Sequence, residues 1–280
     1  MTVLATQRLV ARLLMDAHFR QQFLDEGLLA LGDADLTDVE QRGMEELRGR
    51  QRRGLEFSST LLLGRREQSL RGLLPATLRL LGANRSSRLW ADYGHQARAE
   101  GISTVTAEAL AFARFLEDRF DSRNDELLSA VRRFERRKLE IYESRNRTIE
   151  PHTPEVVPAI LESTIAMIPD TYALEVFAFD VTQIATWLKT QSGTLSIPAI
   201  ETTVLFYIDI HTRRPAAAKV SGDMAALIEF CDGRRNIGQI ARALVKPGAR
   251  EPDVLRLCQA AVRELERHGA MRIAPFERSG

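Results

Sequence analysis

Two cysteines in 280 residues, Cys231 and Cys258, are too few for a disulfide framework, so a small fold stapled by disulfides is excluded. Long apolar runs are missing as well: none approaches the roughly 18 consecutive apolar residues that a membrane-spanning helix needs. Residues 1–10 lack the charged start, apolar middle and small-residue cleavage site of a signal peptide, and the expected location is the cytoplasm. An excess of one charge is absent too. The formal net charge is +1, and acids and bases stay nearly balanced on either side of residue 150. Affinity for DNA comes largely from neutralising phosphates, so a dedicated nucleic-acid binder is expected to be more basic than this chain.

The common catalytic signatures are also missing. There is no G-x-x-x-x-G-K-[ST] phosphate loop, no G-x-G-x-x-G, no G-x-S-x-G elbow and no H-E-x-x-H pair. His18, His95, His152, His211 and His268 are far apart and lack metal-ligand spacing. The acids Asp33, Asp35, Asp38 and Glu40 lack the Gly and the distal Glu of an EF-hand loop, and read as the start of a helix. Cys231 and Cys258 both fall on inward helix faces, where a thiol acts as a small apolar group. These absences point to a binding or accessory protein, with no catalytic residue, metal ligand or cofactor expected on this chain.

What is present is a foldable composition, 44% hydrophobic and 28% charged, with a length that suggests about two domains. Residues 1–150 read as an all-α domain. Leu9, Val10, Leu13, Leu14 and Phe23 form one side of a helix over roughly 4–25, and Thr37 with Glu40 has capping-box spacing. Pro75 interrupts or restarts a helix. Thr106 is placed to cap a helix whose face is Phe112, Phe115, Leu116 and Phe120. The last helix carries Arg132, Arg133, Arg136, Arg137 and Lys138. Interleaved with Glu135 and Glu140, they read either as a solvated face or as a docking face for an acidic partner surface.

The prolines of "EPHTPEVVP" disfavour helix and mark a boundary. Residues 151–199 form a linking region that contains the strand-like "TYALEVFAFD" and a short helix behind Asp180. Residues 200–280 read as a compact module. In "TTVLFYIDI", Val204, Phe206, Ile208 and Ile210 alternate as in a half-buried strand, "HTRRP" turns the chain and "AAAKV" returns it. Three helices follow. Met224, Leu227, Ile228 and Cys231 share a face of the first, and Gly233 after it suits a C-terminal cap and a tight Asp-Gly turn. Asn236 caps the second, and Pro252 opens the third, with Val254, Leu257, Cys258, Ala261 and Leu265 inward. "AMRIAPF" is a last strand. The expected fold is therefore α+β: an all-α N-terminal domain and a C-terminal winged-helix module.

Leu227, Asp232, Gly233, Ile237, Ile240, Ala241 and Leu244, in "LIEFCDGRRNIGQIARAL", resemble the PqqD-like recognition element of ribosomally synthesised, post-translationally modified peptide (RiPP) biosynthesis. The resemblance covers the last 80 residues or so. In the N-terminal part, "LLPATLRLLG", "LWADYGHQARAEG", "EALAFARFLEDRF" and "VRRFERRKLEIYE" follow the order of a helical domain encoded beside multinuclear nonheme iron-dependent oxidases. The combination is similar to the partner proteins of those oxidases in methanobactin and, above all, 3-thiaglutamate biosynthesis. The resemblance implies a heterodimer in which the iron belongs to the oxidase and a cysteine of a carrier peptide is modified. It also implies that the peptide's leader adds as a strand beside the hairpin and against the third helix, which nominates Ala218, Lys219, Val220, Val254, Leu257 and Ala261 as peptide-binding. Arg132, Arg133, Arg136 and Arg137 are the nominated partner-binding face. A winged helix can also grip DNA, so a DNA-binding transcriptional regulator remains the alternative, although the third helix balances its charges.

Overall fold

A computed structural model describes residues 3–32, 36–96, 104–120, 125–144, 160–169, 171–190 and 197–274. The chain divides into two compact units, Met1–Asp125 and Glu126–Gly280. The division falls before the basic helix, not at residue 150 as the sequence suggests. "EPHTPEVVP", the expected boundary, lies outside the described residues.

The first unit is helical: α1 (Val3–Met15), α2 (Ala17–Glu26), α3 (Asp38–Arg48), α4 (Arg52–Leu73), α5 (Pro75–Leu81), α6 (Ala83–Gln96) and α7 (Val105–Arg119). The single helix expected over roughly 4–25 is two helices. Asp16 adopts an extended conformation and its carboxylate accepts the Phe19 N–H at 2.9 Å, so α2 starts afresh there. Thr37 and Glu40 form the expected capping box of α3. The cap of α7 is Thr104, not Thr106, with its hydroxyl accepting the Ala107 N–H at 3.0 Å. Leu13, Phe19, Phe23, Met44 and Leu55 build one core. The rings of Trp90, Tyr93, Phe112 and Phe115 build a second, with neighbouring centroids 5.3–6.0 Å apart. Beside those rings Arg66 of α4 pairs with Glu108 of α7, whose side chain is nearly sealed from solvent.

The second unit runs α8 (Glu126–Ser144), β1 (Ile165–Met167), β2 (Ala173–Phe177), α9 (Ile184–Thr190), β3 (Thr202–Ile208), β4 (Pro215–Val220), α10 (Gly222–Phe230), β5 (Asp232–Asn236), α11 (Ile237–Leu244), α12 (Glu251–Arg267) and β6 (Arg272–Ala274). Its strands form two antiparallel sheets, in the orders β2-β3-β4 and β5-β1-β6. The fold is thus α+β. The region expected to link the domains supplies β1, β2 and α9, and so belongs to the unit's framework.

Two local expectations change. β3 is not half-buried: Val204, Leu205, Phe206 and Ile208 are all fully buried and Tyr207 nearly so. Leu205 and Tyr207 enter a core with Leu227, Ile228, Ile237, Ile240, Cys258 and Val262 of the three C-terminal helices. Phe206 faces the opposite way and meets Phe134 of α8 and Phe177 of β2, with ring centroids at 5.5 and 6.1 Å. The apolar face of α8 thus covers the second side of the sheet, which is why α8 joins this unit. The Asp-Gly pair, for its part, is not a turn between helices. It opens β5, whose partner is β1. Gly233 sits at φ 75°, a conformation that favours glycine, and a Cβ there would also crowd Met167 Sδ at 3.0 Å.

One prediction concerns Glu40. Its carboxylate accepts from the Thr6 hydroxyl of α1, and from the backbone N–H and hydroxyl of Thr37, at 2.9 and 2.7 Å. These bonds, that from Thr6 first, hold its pKa at about 2, below the ordinary 4.5. A depressed carboxylate favours the fold above its unfolded pKa, and that contribution disappears as pH falls from 4.5 towards 2. Melting temperatures measured across this window should fall more steeply for the parent than for Glu40→Gln, which has no charge to lose.

Candidate functional site

β4 is an edge strand, and no other strand pairs with its outer side among the described residues. The Asp209 N–H donates to the Arg214 carbonyl at 3.0 Å, which fixes the alternation along the hairpin. With Tyr207 opposite Ala216, Leu205 opposite Ala218 and Thr203 opposite Val220, these β4 residues turn their backbone groups towards β3. Pro215, Ala217 and Lys219 turn theirs outward. Pro215 has no N–H to leave exposed, and it sits where a sheet edge tolerates proline. Ala217 and Lys219 each present an N–H and a carbonyl at the edge, and neither makes a further backbone bond among the described residues.

The six residues nominated from the sequence take different positions. Ala218, Val254 and Ala261 are half-buried and pack on one core, the same core that Val220 enters with only 6% exposure. Val220 is therefore a core residue and not a groove residue. A charge there would act on folding, which disqualifies it as a probe of binding. Leu257 stands apart, 71% exposed on α12, between Val254 and Ala261 in the helix's i, i+3, i+7 row. Lys219 contributes only its backbone to the edge. Its side chain lies on the α8 face of the sheet, where Nζ donates to Asp180 Oδ2 at 3.1 Å. That bond adds to those from Thr182 and Gln183, and the Thr182 hydroxyl leads in holding the Asp180 carboxyl below the usual range.

The basic residues of α8 make contacts within the unit, so they are not the wholly solvated face that one reading of the sequence offered. Arg132 is 4% exposed. Arg133 donates to the Val176 carbonyl, approaches Glu175 Oε2 to 3.3 Å and lies over the Phe177 ring at 4.3 Å. Arg137 bonds Glu175 Oε1 and reaches Glu140 at 2.8 Å, and Arg136 approaches Glu140 at 3.4 Å. Arg133 and Arg137 are one turn apart, so they close on the same carboxylate from the face of α8 that covers β2. Glu175, which the sequence reading passed over, is the residue that organises them. The signal was an acid in a strand otherwise apolar, "ALEVF", which needs a cation if its face is covered.

On α12 two of the three arginines are matched, Arg256 with Asp253 and Arg267 with Glu264 at 2.6 Å, while Arg263 is exposed and makes no ion pair among the described residues. Both cysteines are free and buried. Burial, with smaller contributions from Cys258 and Asp232, pushes the Cys231 thiol up to about 12, and burial raises Cys258. Among the described residues no group of three or more His, Cys, Asp or Glu side chains could hold a metal ion. No described helix is long and apolar enough to cross a membrane.

Two outcomes follow from this geometry. Arg137→Ala should destabilise the second unit by about 1.5–3 kcal/mol, the usual range for a hydrogen bond to a charged group, and charge reversal at Arg133 and Arg137 should cost more by setting carboxylates against Glu175. Urea denaturation of the full chain measures both. The thiols should be unreactive towards a disulfide-exchange reagent in the native protein and both titrate once it is unfolded, because the thiolate is the reacting form. No family model matches the chain, and no curated protein matches it.

Proposed function

We propose that the chain is an accessory, peptide-presenting subunit that recruits a precursor peptide to a multinuclear nonheme iron oxidase acting on a cysteine. On this reading the hairpin β3–β4 with α10, β5, α11, α12 and β6 is a winged-helix, PqqD-like recognition module, and the catalytic iron lies on the oxidase. The observation that carries the reading is the edge of β4, which no strand pairs among the described residues. Two residues there offer outward N–H and carbonyl groups, and the strand shares its core with the half-buried Val254 and Ala261 of α12. A leader adding as a further strand takes its affinity from such main-chain groups and its specificity from side chains such as Leu257. The alternative, a DNA-binding regulator, draws on the order α10, β5, α11, α12, β6, which suits a winged helix with α12 as reader. The charges of α12 favour peptide. Its arginines at 256 and 267 are tied to its own carboxylates, which leaves Arg263 as the one α12 arginine without an ion pair among the described residues, a small charge for neutralising phosphates.

Fluorescence anisotropy with the labelled leader of the cognate precursor, and separately with duplex DNA, tests the choice. Leader binding with little dependence on salt is expected. Steeply salt-dependent binding to DNA, with none to leader, would reverse it. Lys219→Met removes the Asp180 ion pair but keeps the backbone donor, whereas Lys219→Pro removes both. The proline variant should bind leader about fivefold more weakly than the methionine variant, the loss expected for one main-chain bond. Equal affinities would place the peptide elsewhere. An oxidase assay with and without the chain then measures whether turnover depends on it.

A further inference from the structure

The long helix α4 packs on α1, α5 and α7 with one side, through Leu55, Ser59 and Leu70 among others. Its opposite side has features that the fold itself does not use. Phe57 and Leu61, one turn apart, are 65% and 51% exposed. Gly54 and Gly64 lie in the same row, and a Cβ on either would meet nothing within 4 Å. Glycine in a helix costs about 1 kcal/mol relative to alanine, and among the described residues no turn, positive φ or close neighbour calls for it at these positions. Gly54, Phe57, Leu61, Gly64 and the exposed Gln68 are spaced by three, four, three and four residues, which is the seam spacing of a helix that packs along another helix. In such packing a glycine leaves a hole for a partner's side chain.

The charges beside this seam are one-sided. Arg53 and Arg65 flank it and make no ionic contact among the described residues. The carboxylates of α4 are turned away and engaged, Glu56 with Arg52 at 3.1 Å and Glu67 with Arg71 at 2.6 Å. A second copy of the chain is a poor occupant. Antiparallel pairing across the Phe57–Leu61 centre sets Arg53 against Arg65, and parallel pairing sets each arginine against itself. An anionic lipid surface would suit the arginines, but it gains nothing from two glycines that open the helix backbone.

We infer that this face of α4 docks a helix of the partner subunit that presents apolar side chains flanked by carboxylates. The inference rests on the oxidase-partner reading and names the surface through which that partner is held. It also places docking in the first unit, on a helix different from the basic α8.

The test uses the full chain and the purified oxidase, with affinity measured by titration calorimetry. Gly64→Gln should raise the melting temperature, because glutamine is the better helix former and its side chain has open space to enter, yet weaken the complex by about tenfold or more. Phe57→Ala should weaken it by a similar factor, and Arg53→Glu with Arg65→Glu should slow association most at low salt. Leader affinity should stay unchanged in all of them. If the parent binds the oxidase and Gly64→Gln and Phe57→Ala bind it equally well, the α4 surface is wrong while the accessory reading stands. If the parent binds no oxidase, both fall. Self-association of the parent that Phe57→Ala abolishes, or sedimentation with phosphatidylglycerol vesicles that Arg53→Glu abolishes, would assign the face to another occupant and overturn the inference. So would a fall in melting temperature for Phe57→Ala without loss of oxidase affinity, since the face would then be covered within the chain.

Discussion

The second unit depends on β3 having no polar face. Five consecutive residues, Val204 to Ile208, are withdrawn from water, so the sheet that contains them needs cover on both sides. The three C-terminal helices supply one cover and α8 the other. Burying a large apolar side chain is worth about 1.5–3 kcal/mol, so neither cover can be dispensed with while the strand keeps this composition. A module of hairpin and three helices alone would leave Phe206 and Ile208 against solvent.

Covering the second side creates a polar problem, and Glu175 shows how it is met. Its neighbours along β2 and across β3 on that face are Phe177, Val204 and Phe206, so α8 shuts it away from water. Two arginines one helical turn apart reach the carboxylate, and one of them also stacks on Phe177. The same side chains therefore compensate a half-buried charge and hold α8 in register on the sheet. The outer backbone of β4 is one of the strand edges left unpaired among the described residues, and it is the resource the proposed peptide interaction draws on. A sheet with both faces occupied can still recognise a partner, but only strand to strand.

Much of this was legible in the sequence, and the misreadings share a cause. Caps and breaks were readable where a single residue decides the local conformation: Thr37, Asn236 and Pro252 all act as their types suggest. The hairpin and its three helices were readable from period and turn chemistry. Burial of the Leu205 and Tyr207 face of β3 was not, because the alternation of Val204, Phe206, Ile208 and Ile210 takes the opposite face to be wet, whereas both faces are covered. The arginines of α8 looked like a surface patch because their partner, Glu175, lies some forty positions further along the chain (counted between the numbered residues Arg133 and Glu175). β1 was missed altogether, being three residues long and recognisable only through the strands on either side of it. β4 is an edge strand, as the hairpin reading implies, but Val220 was grouped with that edge through proximity in sequence, whereas the pleat sends its side chain into the core.

The place of β1 has a consequence for how the hairpin and its three helices can be isolated. β5 and β6 never touch; each is zipped to one flank of a strand that comes more than sixty residues before either in the chain. Trimming the protein to the hairpin and the helices that follow it would strip both of their common neighbour. Two bare strand edges, with Met271 and Ile237 close by in the core, are a template for sticking to other copies. Insoluble material from such a trimmed piece would speak of a missing strand, and a piece that keeps both β1 and the cover of β3 begins at α8.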